Sequence, residues 1–292
     1  MLFRGTYPAL PTPFRDGALD LEALRGIIAH VKTGRVDGLL ACGTTGEAPT
    51  LSAAEWTAVV ETTVTAADGL PVLVGTGTNN TAGTVERTRM AAQAGATGAL
   101  VVVPYYNKPT QAGMLKHFEL VASATTLPLV LYNIPGRTGV NMNAATAITL
   151  SRIPNITGIK EASGNLDQAS EIVAATDRDT FSVLSGDDSL TLPLLAVGGQ
   201  GVISTTANVA PALMVALTAA WNAGSADKAR TIHLRLLPLF RQLFIETNPA
   251  PLKAALAFMG LCTDEVRPPL AALGGHHHTK LEQVLRDLDV LP

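Results

Sequence analysis

Lys160 closes the apolar run Asn155-Ile156-Thr157-Gly158-Ile159-Lys160 and is followed at once by the polar stretch Glu161-Ala162-Ser163-Gly164. An ammonium has little reason to end a buried strand unless it is paired or used chemically. Three more polar clusters close apolar runs upstream: Gly43-Thr44-Thr45-Gly46-Glu47, Pro104-Tyr105-Tyr106-Asn107 and Tyr132-Asn133-Ile134-Pro135-Gly136-Arg137. Together they describe a lysine nucleophile among hydroxyls, with one guanidinium to receive a carboxylate.

An amine attacks a carbonyl only when deprotonated, and a free lysine, with a pKa of about 10.4, is almost wholly protonated at neutral pH. Desolvation at a strand end disfavours the charged form and makes Schiff-base formation with a ketone possible. Making and using an imine moves protons to oxygen, off nitrogen and off the neighbouring carbon. Tyrosine and threonine hydroxyls both donate and accept, so Tyr132, Thr44 and Tyr106 are candidates for carrying them. Arg137 follows the Pro135-Gly136 turn, and its planar fork suits a bidentate carboxylate contact. Plainer readings stand beside each of these: an ion pair of Lys160 with Glu161 or Asp187, packed tyrosines, a strand-end threonine cap, and a surface salt bridge for Arg137.

The elements that must position these residues are legible as short apolar runs, each followed by an alanine-rich helical segment. The runs span 5–11, 38–42, 71–75, 99–103, 128–132, 156–160, 181–185 and 201–204. Continuous apolar strands alternating with helices imply parallel strands covered on their outer face, and eight such units predict an α/β fold, a (β/α)8 TIM barrel. Barrel sites lie at the C-terminal strand ends, so the residues closing each run are expected at one mouth. Alternation puts Ile156, Gly158 and Lys160 on one face, with Gly158 expected to leave space below the lysine stem. An open doubly wound sheet competes, but Gly75-Thr76-Gly77-Thr78-Asn79-Asn80 lacks the third glycine of a nucleotide loop and reads as a turn. Ser52 with Glu55 predicts a capping box at one helix start, and Thr81 marks another.

After about residue 208 the strand signal ends, and 211–222, 226–244, 251–260 and 279–288 read as helices. The expected organisation is a catalytic barrel over 1–224 and a C-terminal helical extension over 225–292.

With 292 residues, 47% hydrophobic and 15% charged, the chain can bury one large core. A net charge of -3 leaves no footprint for nucleic acid, and no uninterrupted apolar stretch reads as a membrane span. The opening residues lack the pattern of a signal peptide. Two cysteines are too few for a disulfide framework, so a cytoplasmic setting is expected. Cys42 precedes the Gly-Thr-Thr segment, but no histidine is near it in sequence, which favours a buried strand cysteine over a nucleophile. Glu47, Glu161, Asp187 and Asp188 admit a metal-dependent enolising enzyme with lysine as base. A barrel that only binds a keto acid is a noncatalytic alternative. His276-His277-His278 could bind a transition metal but reads more simply as a solvated loop.

The segments G-T-T-G-E (43–47), P-Y-Y-N-K-P (104–109), Y-N-I-P-G-R-T-G (132–139), G-I-K-E-A-S-G (158–164), L-S-G-D-D (184–188) and G-V-I-S-T-T-A-N (201–208) resemble, in order, those of the dihydrodipicolinate synthase family. That family is also called 4-hydroxy-tetrahydrodipicolinate synthase and belongs to the pyruvate-dependent Schiff-base aldolases and lyases. N-P-A-P-L-K (248–253) continues the likeness into the extension. N-acetylneuraminate lyase and 2-keto-3-deoxy sugar-acid aldolases share the lysine and the paired tyrosine; the R-T-G after Tyr132 favours the synthase. The resemblance implies condensation of pyruvate with L-aspartate 4-semialdehyde through a Lys160 Schiff base, without cofactor or metal, in lysine and diaminopimelate biosynthesis. It further implies Tyr132 as central acid/base with Thr44 and Tyr106, Thr45 on the pyruvate carboxylate, and Arg137 on that of the semialdehyde. Gly186 and Ile203 would line the pyruvate pocket through backbone groups. Tyr106 would reach a neighbouring subunit in a homotetramer, a dimer of dimers.

Overall fold

The computed structural model describes residues 3–291. Eight strands run from β1 (Gly5–Pro8) through β2 (Leu39–Ala41), β3 (Val72–Gly75), β4 (Gly98–Val102), β5 (Leu129–Asn133), β6 (Ile156–Glu161) and β7 (Ser182–Ser185) to β8 (Gly201–Ser204). Helices follow them in turn: α1 (Leu21–Thr33), α2 (Ala53–Ala67), α3 (Thr81–Gln93), α4 (Gln111–Ser123), α5 (Ala144–Leu150), α6 (Leu166–Ala175), α7 (Thr191–Ala196) and α8 (Pro211–Asn222). This alternation is that of a (β/α)8 barrel. Three further helices, α9 (Ala226–Gln242), α10 (Ala250–Phe258) and α11 (His278–Asp287), form the C-terminal extension. No helix among the described residues is long and apolar enough to cross a membrane.

Two compact units divide the chain: residues 3–5 with Pro71–Ile203, and Thr6–Leu70 with 204–291. In the first, β3 to β8 pair in parallel in chain order, with Val74 opposite Ala99, Leu100 opposite Val130, Tyr132 opposite Lys160, and Lys160 and Gly201 both opposite Leu184. All six residues of β6 and all five of β5 are buried, as expected of strands covered on both faces. Asparagine and threonine side chains cap α4, α5 and α6 by accepting from the backbone of the first helical turn, which fixes where each helix leaves its loop.

In the second unit, the backbone N–H of Thr6 donates to the Asp37 carboxylate at 2.7 Å, and that of Asp37 donates back to the Thr6 carbonyl at 3.0 Å. The apolar run predicted over 5–11 is a strand only to Pro8, then bridges in parallel through Ala9 to Leu40. Helix α1 buries Leu24, Ile27, Ile28 and Val31, one stripe at helical spacing, and Asp20 caps it. The predicted capping box forms at α2: Ser52 and Glu55 each accept the other's backbone N–H. A small hairpin, Phe14–Arg15 with Ala18–Leu19, turns at Asp16-Gly17, where both residues have positive φ (53° and 80°). The Asp-Gly pair is the ordinary signal of such a turn, and the hairpin lies outside the expected set of elements.

Candidate active site

Within the first unit, register decides the central contact. Tyr132 and Lys160 are direct partners across β5 and β6, so their side chains leave the sheet on the same face. The Lys160 Nζ lies 4.3 Å from the centroid of the Tyr132 ring. Both side chains are buried, Lys160 to 6% exposure. Among the described residues no carboxylate forms an ion pair with Lys160.

The room for the lysine stem comes from Gly186 rather than Gly158. A Cβ on Gly186 would stand 3.0 Å from both Cγ and Cε of Lys160 and 2.7 Å from the Ala162 Cβ. A Cβ on Gly158 would instead strike the Ser182 carbonyl oxygen at 2.7 Å, so that glycine permits close approach of β6 and β7. Sequence alternation found the correct strand face but could not show which loop crosses it.

The acids proposed as plain partners of Lys160 are engaged elsewhere. Glu161, one residue on and therefore on the opposite face, accepts from the side-chain amides of Asn133 at 3.1 Å and Gln168 at 3.2 Å, and from the Ser163 backbone at 2.6 Å. Asn141 extends this network, donating to Gln168 at 2.7 Å and accepting from Asn133 at 2.8 Å. Asp187 accepts from the backbone N–H and hydroxyl of Ser189 at 3.0 and 2.9 Å. The structural ion pair weighed for Lys160 is therefore not formed.

Arg137 sits on a single helical turn, Pro135–Thr138, which Gly139 closes in the left-handed region at φ 76°. Its guanidinium is exposed and makes no ion pair among the described residues, so the surface salt bridge considered from sequence is absent. Tyr106 has φ 72°, its backbone N–H donates to the Thr138 carbonyl at 3.3 Å, and its side chain is 87% exposed. A bulky residue at positive φ is a strained choice. Here it holds a tyrosine out in solvent, where within one chain it has little to pack against. Ile203 is buried on β8, and the Gly186 backbone N–H donates to the Glu161 carbonyl at 2.8 Å.

The second unit holds Thr44 and Thr45. They occupy a tight turn flanked by two positive-φ residues, Cys42 (53°) and Glu47 (51°). Thr44 accepts from the Glu47 backbone N–H at 3.1 Å, and the buried Thr45 hydroxyl accepts from the Asn248 side-chain amide at 2.9 Å. Cys42 is buried, and neither cysteine is in a disulfide. Glu47 is fully buried against the Lys253 Nζ at 2.5 Å and also accepts from the Arg267 backbone N–H at 2.9 Å. Lys253 donates further to the Glu265 carbonyl at 2.7 Å and lies over the Phe14 ring. Burial pulls the Lys253 ammonium below its ordinary range, and Glu47 opposes that shift. The Arg267 guanidinium grips Glu55 through both carboxylate oxygens at 2.6 and 2.9 Å, which holds the Glu55 carboxyl down at about 2.

Asn248, Lys253 and Arg267 thus anchor the Gly-Thr-Thr-Gly-Glu turn from the C-terminal segment. A lysine inside the apolar helix Ala250–Phe258 was the available signal, since it must find an acid. Glu47, Glu161 and Asp187, which a metal-dependent enolising enzyme would need, each already hold protein donors.

The dihydrodipicolinate synthetase family model matches residues 2–288. The 4-hydroxy-tetrahydrodipicolinate synthase of Thermomicrobium roseum is 50% identical over 281 residues, 96% of this chain and 93% of that protein. The synthase of Methanococcoides burtonii is 47% identical over 291 residues, 99% and 100% respectively. The crystal structure of dihydrodipicolinate synthase from Thermotoga maritima superposes with a TM-score of 0.98 at 43% identity, covering 100% of both chains.

Proposed function

We infer, from the premise that this chain belongs to the dihydrodipicolinate synthetase family, that it is a Schiff-base lyase condensing pyruvate with L-aspartate 4-semialdehyde to 4-hydroxy-tetrahydrodipicolinate. The observation that carries this reading is the buried Lys160 amine, 4.3 Å from the centre of the Tyr132 ring and without a carboxylate partner among the described residues. In the reading, Lys160 attacks C2 of pyruvate, water leaves, and loss of a methyl proton converts the imine to an enamine. The enamine carbon adds to the semialdehyde carbonyl. Attack of the substrate amine on the imine carbon then closes the ring and releases Lys160. The imine nitrogen is itself the electron sink, so the chemistry asks for no cofactor.

Tyr132 is assigned the central acid/base role, because its hydroxyl can exchange protons without placing a full charge beside the amine. The family resemblance assigns Thr44 and Tyr106 the rest of the relay, Thr45 the pyruvate carboxylate, and Gly186 and Ile203 the pyruvate pocket. Arg137 is assigned the semialdehyde carboxylate, which suits an exposed guanidinium with no acid already on it. The exposed, strained Tyr106 supports a role toward a neighbouring subunit in a homotetramer. A biosynthetic enzyme of this kind belongs in the cytoplasm.

A second-substrate screen tests the reaction. With pyruvate held constant, aspartate 4-semialdehyde should support turnover while N-acetylmannosamine and sugar-derived aldehydes should not. Preference for a sugar aldehyde would move the chain to the sister lyases.

A further inference from the structure

We propose that Glu246, His276 and His277 form a binding site for a divalent transition metal. Glu246 follows α9, whereas the two histidines end the short turn Gly275–His277 that leads into α11. One ligand atom from each of the three lies within 4.8 Å of the others. The His277 Nε2 is 3.4 Å from the Glu246 Oε1. Metal bonds of about 2.0–2.1 Å in a tetrahedron place neighbouring donor atoms about 3.4 Å apart, so this edge of the polyhedron already has its working length. His276, which is exposed, has to close by at most about 1.4 Å to the same spacing.

The backbone around Gly274 is fitted to these side chains. Its N–H donates to the Glu246 Oε1 at 3.2 Å, fixing the carboxylate as outer-shell donors do in metal sites. A Cβ at this position would stand 2.8 Å from the His276 Cε1 and 3.0 Å from the Glu246 Oε1, so the glycine lets His276 and Glu246 sit this close to the backbone. The His276 and His277 ring centroids are 3.9 Å apart. The third histidine of the run is otherwise employed: His278 Nε2 is 3.2 Å from the Leu273 carbonyl, and its ring packs edge-on to Phe258.

Two imidazole nitrogens and one carboxylate oxygen form a borderline donor set, suited to Zn²⁺, Ni²⁺ or Cu²⁺ rather than to Mg²⁺ or Ca²⁺. Three protein ligands leave a position open to water. A bound ion would tie the segment after α9 to the start of α11, across 30 residues of chain.

The test is calorimetric titration of Zn²⁺ alone into the full chain freed of metal with a chelator. One ion per chain is expected, bound at least tenfold more weakly by Glu246→Gln and by His277→Ala, and with unchanged affinity by His278→Ala. His276→Ala removes an exposed ring and is the least disruptive of the three, so it keeps the test valid should the other variants unfold; it too should lose at least tenfold. With Co²⁺ as probe, a tetrahedral visible absorption should appear in the parent and vanish in His276→Ala. No saturable binding, or binding that all three ligand variants leave unchanged, overturns the site.

Discussion

Among the described residues two lysines are buried, and their surroundings are opposite. Lys253, fully buried, is saturated: it faces Glu47 at 2.5 Å, donates to the Glu265 carbonyl and covers the Phe14 ring. Lys160, 6% exposed, meets the face of Tyr132 at 4.3 Å and has no ion-pair partner among the described residues. A buried ammonium held by a carboxylate and a carbonyl is committed to those partners, and removing it would strand the acid. An amine with neither is available for chemistry. Burial alone therefore does not separate these two lysines; their anionic and carbonyl partners do.

The difference can be broken from either side. Tyr132→Phe keeps the ring that Lys160 faces and deletes the hydroxyl, so turnover should fall about 10²- to 10⁴-fold, the usual magnitude of general acid/base catalysis, while melting temperature stays near that of the parent. Turnover within a few-fold of the parent would leave the tyrosine a packing role. Lys253→Met should do the reverse. Glu47 becomes a buried charge without its cation, and the loss of about 3–5 kcal/mol should appear as a lower urea midpoint, with the remaining folded protein still forming the pyruvate adduct. An unchanged midpoint would mean that solvent reaches Glu47.

Arg137→Ala sharpens the comparison among the cations, since this exposed guanidinium holds no acid of its own. Loss of a charge-assisted contact predicts about a ten- to hundredfold rise in KM for the semialdehyde, with pyruvate imine formation spared. Equal damage to both steps would make Arg137 a general support. The smallest effect belongs to the paired Arg267. Its partner Glu55 has a carboxyl lowered to about 2 from the ordinary 4.5, so the pair adds stability above about 4.5 that is lost as pH falls toward about 2. Glu55→Gln should flatten that acid limb in melting curves and leave the pH 7 rate alone; an unaltered limb would show the pair to be screened by solvent.

Much of this was legible in the chain. Apolar runs located every barrel strand, and the run 156–160 fell on β6, observed as Ile156–Glu161. The four late helices were found to within about two residues, 226–244 against Ala226–Gln242 for example. Lys160 and Tyr132 were both singled out as strand-end residues, and register made them neighbours. What sequence could not give is information carried by distant segments. Nothing near Glu47 announces Lys253, 206 residues away, because a buried ion pair leaves no periodic signal. The same holds for Gly186, whose missing side chain makes room for a lysine on another strand, and for the histidine run, of which two rings turn toward Glu246 and the third toward Phe258.

The most direct test is borohydride reduction in the presence of pyruvate, read by intact mass and peptide mapping, on the parent and on Lys160→Ala. The account predicts one reduced pyruvate adduct per chain, on the peptide that contains Lys160, and none in a Lys160→Ala protein that melts as the parent does. An undiminished adduct in that variant, or one mapped to Lys253, would contradict it.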